Sequence, residues 1–363
     1  MRNHLDGIDT LRGLAVSMVV IYHFFVLLNL NNILTPFTHT FGLLGVSIFF
    51  IISGYLIYSS IDNNIKKRGK KEGLKNYFLH RLFRILPAYY FNLFVVLLIS
   101  SFIIEAQYLY SHQFMNQFLS HLSLTSYFAY KSVGLGINGA YWTLNIEMLW
   151  YIIAPIFILY IKDIRILIFI IFSSLIYLLA LDKGVLDEIF NINSQMPSYK
   201  LQLFYINSQL MGQINYFIIG ILIYKYSIKS PFKNPFVSMI LAISILLVFI
   251  GISKYYGITE SFLLLHIFII IATSTIFILI YQKKIPKINI LNWLGKISYS
   301  IYLWHMPILF IMNHTNILLY LSLTKVVILF TILLLSISSL SYYFIEERLM
   351  VKSNKEKSQR ESD

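Results

Sequence analysis

The chain has no cysteine in its 363 residues. That removes disulfides, thiolate catalysis and Cys-ligated metals, while leaving the compartment open. Charge is also scarce. Only 12% of residues are charged and 58% are hydrophobic, whereas soluble domains carry about 25% charge. With a mean hydropathy of +0.71, the composition belongs to an integral membrane protein. Segments of about ten residues with alternating polarity are missing, which excludes a β-barrel. The first apolar stretch lacks the small-residue cleavage site of a secretory signal. No internal repeat and no appended soluble domain are read. The closing "KSNKEKSQRESD" gives residues 349–363 the character of a disordered cytoplasmic tail.

What the chain has in abundance is apolar runs close to the roughly 20 residues that carry a helix across a bilayer. Ten spans are expected, near 13–30, 41–60, 86–104, 143–161, 165–181, 211–226, 236–253, 261–281, 298–314 and 323–345. The fold class expected is therefore all-α, a polytopic membrane protein of about ten transmembrane helices with both termini cytoplasmic. The basic residues set the orientation. With the N-terminus inside, the outer side keeps only Lys131, Lys183, Lys200, Lys254 and Lys325 of the 29 Lys and Arg, a strong positive-inside bias. A missed span would scramble that alternation. The net charge of +13 thus marks topology, and no nucleic-acid partner is expected. Ile- and Asn-rich usage points to an AT-rich genome and a bacterial cytoplasmic membrane. The outer connections 105–142 and 182–210 are rich in Tyr, Gln, Asn and Ser, a chemistry that suits sugars and equally suits interfacial aromatics.

Ionisable groups at bilayer depth are costly, so each is a candidate functional residue. In "IDTLRGLAVSMVVIYHF", Arg12 stands at the inner edge of the first span and His23 eleven residues further on. Both fall on one helical face, about 16 Å apart along the axis. Glu147 lies inside span four in "YWTLNIEMLWY", at a depth where it could meet His23 and favour its protonated ring; a simple tie between two helices is the other reading. His305 lies within "SIYLWHMP", and His266 in span eight has the character of a structural histidine. Arg81 and Arg84, in "HRLFRILP", share a face at the entry to span three. They read either as topology anchors or as a phosphate grip, since guanidinium forks match phosphate oxygens. In span two Gly42, Gly45, Ser53 and Gly54 serve close packing, or else leave room for a narrow ligand arm.

These segments, in this order, resemble the family 3 membrane acyltransferases. The resemblance rests on "IDTLRGLAVSMVVIYHF", "GVSIFFIISGYLI", "FLHRLFRILPAYY", "WTLNIEMLWY" and "LGKISYSIYLWHMPI". It implies one transmembrane acyltransferase domain over 1–348, with cytoplasmic acyl-CoA, usually acetyl-CoA, as co-substrate and no permanently bound cofactor or metal. The acceptor it implies is a hydroxyl of an extracytoplasmic cell-surface glycan or lipid-linked saccharide. It carries a catalytic role onto His23, donor binding onto Arg12, Arg81 and Arg84, and the acidic position after W-[ST]-L onto Glu147. Many members have two adjacent acids there, whereas Met148 follows Glu147 here. On the chemistry expected, His23 deprotonates the acceptor hydroxyl or briefly takes the acyl group, and Glu147 orients it. Ser53 and Tyr55 are candidates on the donor side, and Trp142, Thr143 and His305 on the acceptor side. A transporter or flippase of lipid-linked sugars is the competing class, since intramembrane His and Glu also relay protons. Within the enzyme class succinyl is the alternative acyl group. Membrane lipid is the remaining partner, and oligomeric state is not legible.

Overall fold

The computed structural model describes residues 2–30, 35–103, 111–126, 138–190, 199–228, 234, 236–237, 240, 244, 261–281 and 288–349. Side chains are described for these except 2–6, 35–40, 113 and 199–201. The helices are α1 Arg2–Leu27, α2 Thr35–Arg68, α3 Lys70–Ile103, α4 His112–Leu122, α5 Tyr141–Tyr160, α6 Ile164–Asp182, α7 Val185–Ile189, α8 Tyr199–Asn207, α9 Leu210–Tyr226, α10 Phe262–Tyr281, α11 Asn289–Lys296, α12 Ser298–His314 and α13 Leu323–Ser341. A π-helical turn, Tyr342–Glu347, follows α13. There is no strand among the described residues.

Among the described residues, eight helices are long and apolar enough to cross a bilayer. The 17 residues of α12 are at the short end of a span. The expected span over 236–253 falls mostly outside the described residues. Lipid-facing character is plain on α6, where Ile166, Ile168, Phe169, Phe172 and Ile176 are exposed and only Leu167, Ser174, Leu178 and Leu181 are buried. The protein is thus a multi-pass, all-α membrane protein. The chain divides into two compact units. The first comprises residues 1–22, 31–62 and 146–296; the second comprises 23–30, 63–145 and 297–363.

In the first unit α2 and α9 meet through glycine. A Cβ on Gly54 would stand 2.1 Å from the Phe217 carbonyl oxygen, and one on Gly220 would stand 2.2 Å from that of Ile51. The helices therefore touch backbone to backbone, the contact that small residues permit. Beside this crossing Phe217 stacks between Phe50 and Trp150, with ring centroids 4.7 Å apart on both sides. Gly42 and Gly45 are filled the same way, by Tyr22 and by Ala15 with Val19. Packing thus accounts for the small residues of span two, and the structure leaves no room at these glycines for a ligand arm. Gly220→Val is expected to lower stability by about 1–3 kcal/mol through overpacking, read as a lower melting temperature in detergent. An unchanged melt would show that the helices can separate freely there. His266 is 2% exposed and engaged on both ring nitrogens, with Tyr216 Oη at 3.0 Å and Asn207 Oδ1 at 2.9 Å, in keeping with its structural reading.

The second unit holds α3, α4, α12, α13 and the π turn, with the last turn of α1 and the first of α5. Here a connection expected to be a loop contains a helix. The Tyr89 and Tyr90 hydroxyls donate to the carbonyls of His121 and Leu122 at the end of α4, both at 3.0 Å. Tyr89 lies fourteen residues before the end of α3 at Ile103, about 21 Å along the axis, so the chain re-enters alongside α3. Helix α4 mixes apolar and polar residues on both its buried and its exposed sides, with Phe114 buried and His112 and Asn116 exposed. Met115, Leu119 and Leu122 are exposed, while Gln117 and His121 are buried.

A proline accounts for the next contact. Pro307 has no N–H to give the carbonyl four residues back, and that carbonyl, of Leu303, accepts from Asn138 Nδ2 at 2.9 Å. Asn138 also donates to Asn92 Oδ1 at 3.3 Å, an oxygen that Tyr141 Oη donates to at 2.6 Å. Asn138→Ala would orphan a buried carbonyl, with an expected cost of about 1–3 kcal/mol, measured as a fall in melting temperature. A melt equal to that of the native protein would refute the capping role.

Candidate active site

The sequence-derived residues divide between the units. Arg12, Ser53, Tyr55 and Glu147 belong to the first, and His23, Arg81, Arg84, Trp142, Thr143 and His305 to the second.

In the first unit Arg12 lies on α1 with its guanidinium 3.5 Å from Asp9, one turn earlier. Thr10 donates to Asn292 of α11 in the same region. The Glu147 carboxyl accepts from Ser53 Oγ and, at 2.7 Å, from the Tyr151 hydroxyl one turn along α5. The Tyr55 hydroxyl donates to that of Tyr281. Ser53, read as a donor-side group, is therefore a partner of Glu147.

The second unit brings together two histidines that no sequence motif links. His23, half-buried near the end of α1, has its Nδ1 3.2 Å from Nε2 of His305, with ring centroids 5.0 Å apart. His305 is fully buried. Its Nδ1 lies 2.8 Å from the Tyr302 carbonyl oxygen and 3.3 Å from that of Ile301. Carbonyl oxygens only accept, so this nitrogen carries a hydrogen. In the neutral ring Nε2 is then a bare lone pair facing His23. His23 Nδ1 must donate to it, which leaves the lone pair of His23 on Nε2. Helix α12 thus sets the tautomer of α1's histidine through two backbone carbonyls.

Around this pair the Tyr302 ring lies 5.5 Å from that of His305. The Tyr302 hydroxyl is 2.6 Å from Thr143 Oγ1. Both hydroxyls reach the Ala140 carbonyl at 3.2 Å. Thr143 is therefore engaged in fastening the start of α5 to α12, beside a half-buried Trp142. Further along α3, Arg81 lies 6.0 Å from the centre of the Tyr77 ring. Arg84, three residues further along the same helix, is half-buried.

Sequence reasoning assigned His305 to the acceptor side and did not foresee its bond to His23. Four residues after Ile301 and two before Pro307, it sat in a visible polar interruption of an apolar helix. Glu346 was missed entirely, because an acid at the end of the last span reads as a solvated terminus. Among the described residues there is no cluster of three or more His, Asp or Glu able to hold a metal ion.

Comparison with known proteins gives the arrangement its family. A sequence model described as "Acyltransferase domain" matches residues 5–346. The chain is similar to the peptidoglycan O-acetyltransferase OatA of Listeria monocytogenes, 26% identical over 329 residues, covering 85% of this chain and 50% of that one. It is similar to O-acetyltransferase OatA of Staphylococcus aureus, 28% identical over 332 residues, covering 85% of this chain and 51% of that one. It also resembles the ORF330 protein of Acidianus two-tailed virus, 27% identical over 312 residues, with 84% and 83% covered. The chain thus spans about half the length of the two OatA proteins. No solved structure matches it. With the domain match running through nearly all of the described helices, the chain belongs to the membrane acyltransferase family.

Proposed function

We propose that the protein transfers an acyl group, acetyl in the first instance, from acyl-CoA to a hydroxyl of a cell-surface glycan such as peptidoglycan, with His23 as the base. The observation that carries this reading is the His23–His305 contact at 3.2 Å. A neutral imidazole whose tautomer is set by its neighbours can act as a general base through its other nitrogen. Membership of an acyltransferase family weighs against the transporter reading, and the names of the OatA relatives supply the acetyl group and the glycan.

The chemistry follows from those parts. His23 Nε2 takes the acceptor's hydroxyl proton as the oxygen attacks the thioester carbonyl carbon. The C–S bond breaks, and the CoA thiolate leaves with the proton that His23 gives back. The base is regenerated, so neither a metal nor a cysteine is required. Arg81 and Arg84 hold the donor's phosphates as guanidinium forks. The same role for Arg12 rests on its place eleven residues before His23 on one helix. His305 already occupies Nδ1 of His23, and the bonds of Glu147 go to Ser53 and Tyr151. The cytoplasmic N-terminus, and with it a donor arriving from the cytoplasm, rests on the distribution of basic residues.

The test is turnover by the purified full chain in lipid nanodiscs. Acetyl-CoA and succinyl-CoA are offered in parallel with a peptidoglycan fragment or a lipid-linked saccharide, with free thiol and product mass as readouts. Acceptor-dependent thiol release with a product one acetyl unit heavier is expected. Transfer of succinyl alone would correct the donor, and absence of acceptor-dependent release from both would overturn the reading.

A further inference from the structure

Helix α11, in the first unit, turns an amide and a glycine inward. Of its eight residues only Asn292 and Gly295 are buried, while Ile290 is exposed. Both buried positions face the start of α1. A Cβ on Gly13 would stand 2.0 Å from the Leu291 carbonyl oxygen, and one on Gly295 would stand 1.8 Å from that of Asp9. The two meeting points are four residues apart on each helix and run in opposite order. The helices therefore lie antiparallel, backbone on backbone, over one full turn. Inside that turn Thr10 donates its hydroxyl to Asn292, and both side chains are buried. Backbones so close cannot slide or rotate past one another without collision, so α11 fixes the orientation of α1 over residues 9–13.

Arg12 stands within this clamped turn. Its guanidinium lies 3.5 Å from the Asp9 carboxylate, and the two side chains are only 17% and 18% exposed, so salt screens their attraction less than at an open surface. Side chains on a helix lean towards its N-terminus, and Asp9 is one turn away in that direction. The pair thus draws the head of Arg12 to the end of α1 that the basic residues place on the cytoplasmic side. An arginine at the rim of a span ordinarily extends its head freely towards water, and closing it on a ligand costs rotamer entropy. A guanidinium already held by a carboxylate on a clamped turn has less freedom to lose.

We infer that Asp9 is the positioning residue for Arg12, and that α11 is the brace fixing the turn on which both stand. Together they aim the guanidinium at an anionic phosphate of the donor. This rests on the proposed acyl-CoA function and deepens it, giving Asp9 and α11 a role in donor affinity and none in the acyl transfer itself. Losing the Asp9 charge frees the head of Arg12, and donor binding weakens while turnover at saturating donor stays close to native. A donor without phosphates should not register the change.

The experiment compares acetyl-CoA with S-acetyl-pantetheine, which carries the same thioester and no phosphate. KM, kcat and melting temperature are measured for the full chain in nanodiscs and for Asp9→Asn, Asp9→Glu, Asn292→Ala, Arg12→Ala and the Arg12→Ala/Asp9→Asn pair. A roughly fivefold rise in KM for acetyl-CoA is expected for Asp9→Asn, with kcat within about twofold of native. Its kcat/KM for S-acetyl-pantetheine should stay within about twofold of native, a split that loosened packing alone would not produce. Glutamate should recover part of the loss, and the double variant should bind acetyl-CoA no worse than Arg12→Ala alone. Asn292→Ala, which loosens the brace, should raise the same KM by a smaller factor. A native or lowered KM in Asp9→Asn, equal losses with both donors, or strictly additive effects in the pair would overturn the inference. An unchanged KM in Asn292→Ala would remove α11 from it. If the native chain turns over neither donor, the functional reading fails by itself, and free CoA then decides the inference through the melting temperature. A rise with CoA that is lost in Arg12→Ala and reduced in Asp9→Asn upholds it; no rise, or the same rise in all three proteins, ends it.

Discussion

Replacing His23 by alanine is expected to cut acyl transfer by about 10³-fold, the usual weight of a positioned general base. Melting temperature should change little. The side chain is half-buried near the end of α1, and its bond to His305 is lost. The measurement is acceptor-dependent thiol release from acetyl-CoA by purified protein, with the melt run on the same preparation. A fall in kcat/KM through kcat, with donor KM retained, is the signature of an interaction made in the transition state. Activity near native would remove His23 from the reaction, and with it the central step of the proposed mechanism. A collapse of the melt alongside activity would instead make the histidine pair a structural tie between α1 and α12.

The second large effect is expected at His305, which touches no substrate in the proposed mechanism and acts through His23. His305→Phe keeps a ring in the buried space and removes the acceptor for His23 Nδ1. The tautomer of His23 is then free to invert, and a loss of about 10²-fold is expected. His305→Gln restores a side-chain oxygen near the position of Nε2. It should retain at least about tenfold more activity than the phenylalanine variant, because the donated bond from His23 survives. The pH–rate profile supplies the readout that packing alone would not move. The limb that reports protonation of the base should shift in His305→Phe, since a neighbour bonded to His23 has gone. Equal losses in both variants with an unmoved profile would mean that His305 only fills space.

How far the fold was legible depends on what kind of signal each part carries. The spans were readable because hydrocarbon thickness imposes a length, and α3, α6, α9, α10 and α13 lie where the apolar runs placed them. The helix over His112–Leu122 was not, because its eleven residues "HQFMNQFLSHL" are too short and polar to register as membrane-embedded. Its buried His121 is met by Tyr89, a partner distant in sequence. The arginine and histidine of α1 stood out because ionisable groups are expensive in an apolar run. Glu346 did not, since a register change of one residue at the end of a helix leaves no mark in hydropathy.

Composition and the spacing of apolar runs were sufficient by themselves for a helical, many-span membrane protein, and for the short set of polar residues from which a site had to be drawn. Those properties follow from the cost of exposing backbone and charge to hydrocarbon, which every residue meets locally. Tertiary structure alone decided which polar residues are partners: His23 with His305 and Ser53 with Glu147 within that set, and Glu346 with Ser300 outside it. The members of each pair are 94, 46 or 282 residues apart in sequence. Hydrogen bonds act over about 3 Å, so only the packing of helices could bring such groups within reach and fix which nitrogen of His23 holds the proton.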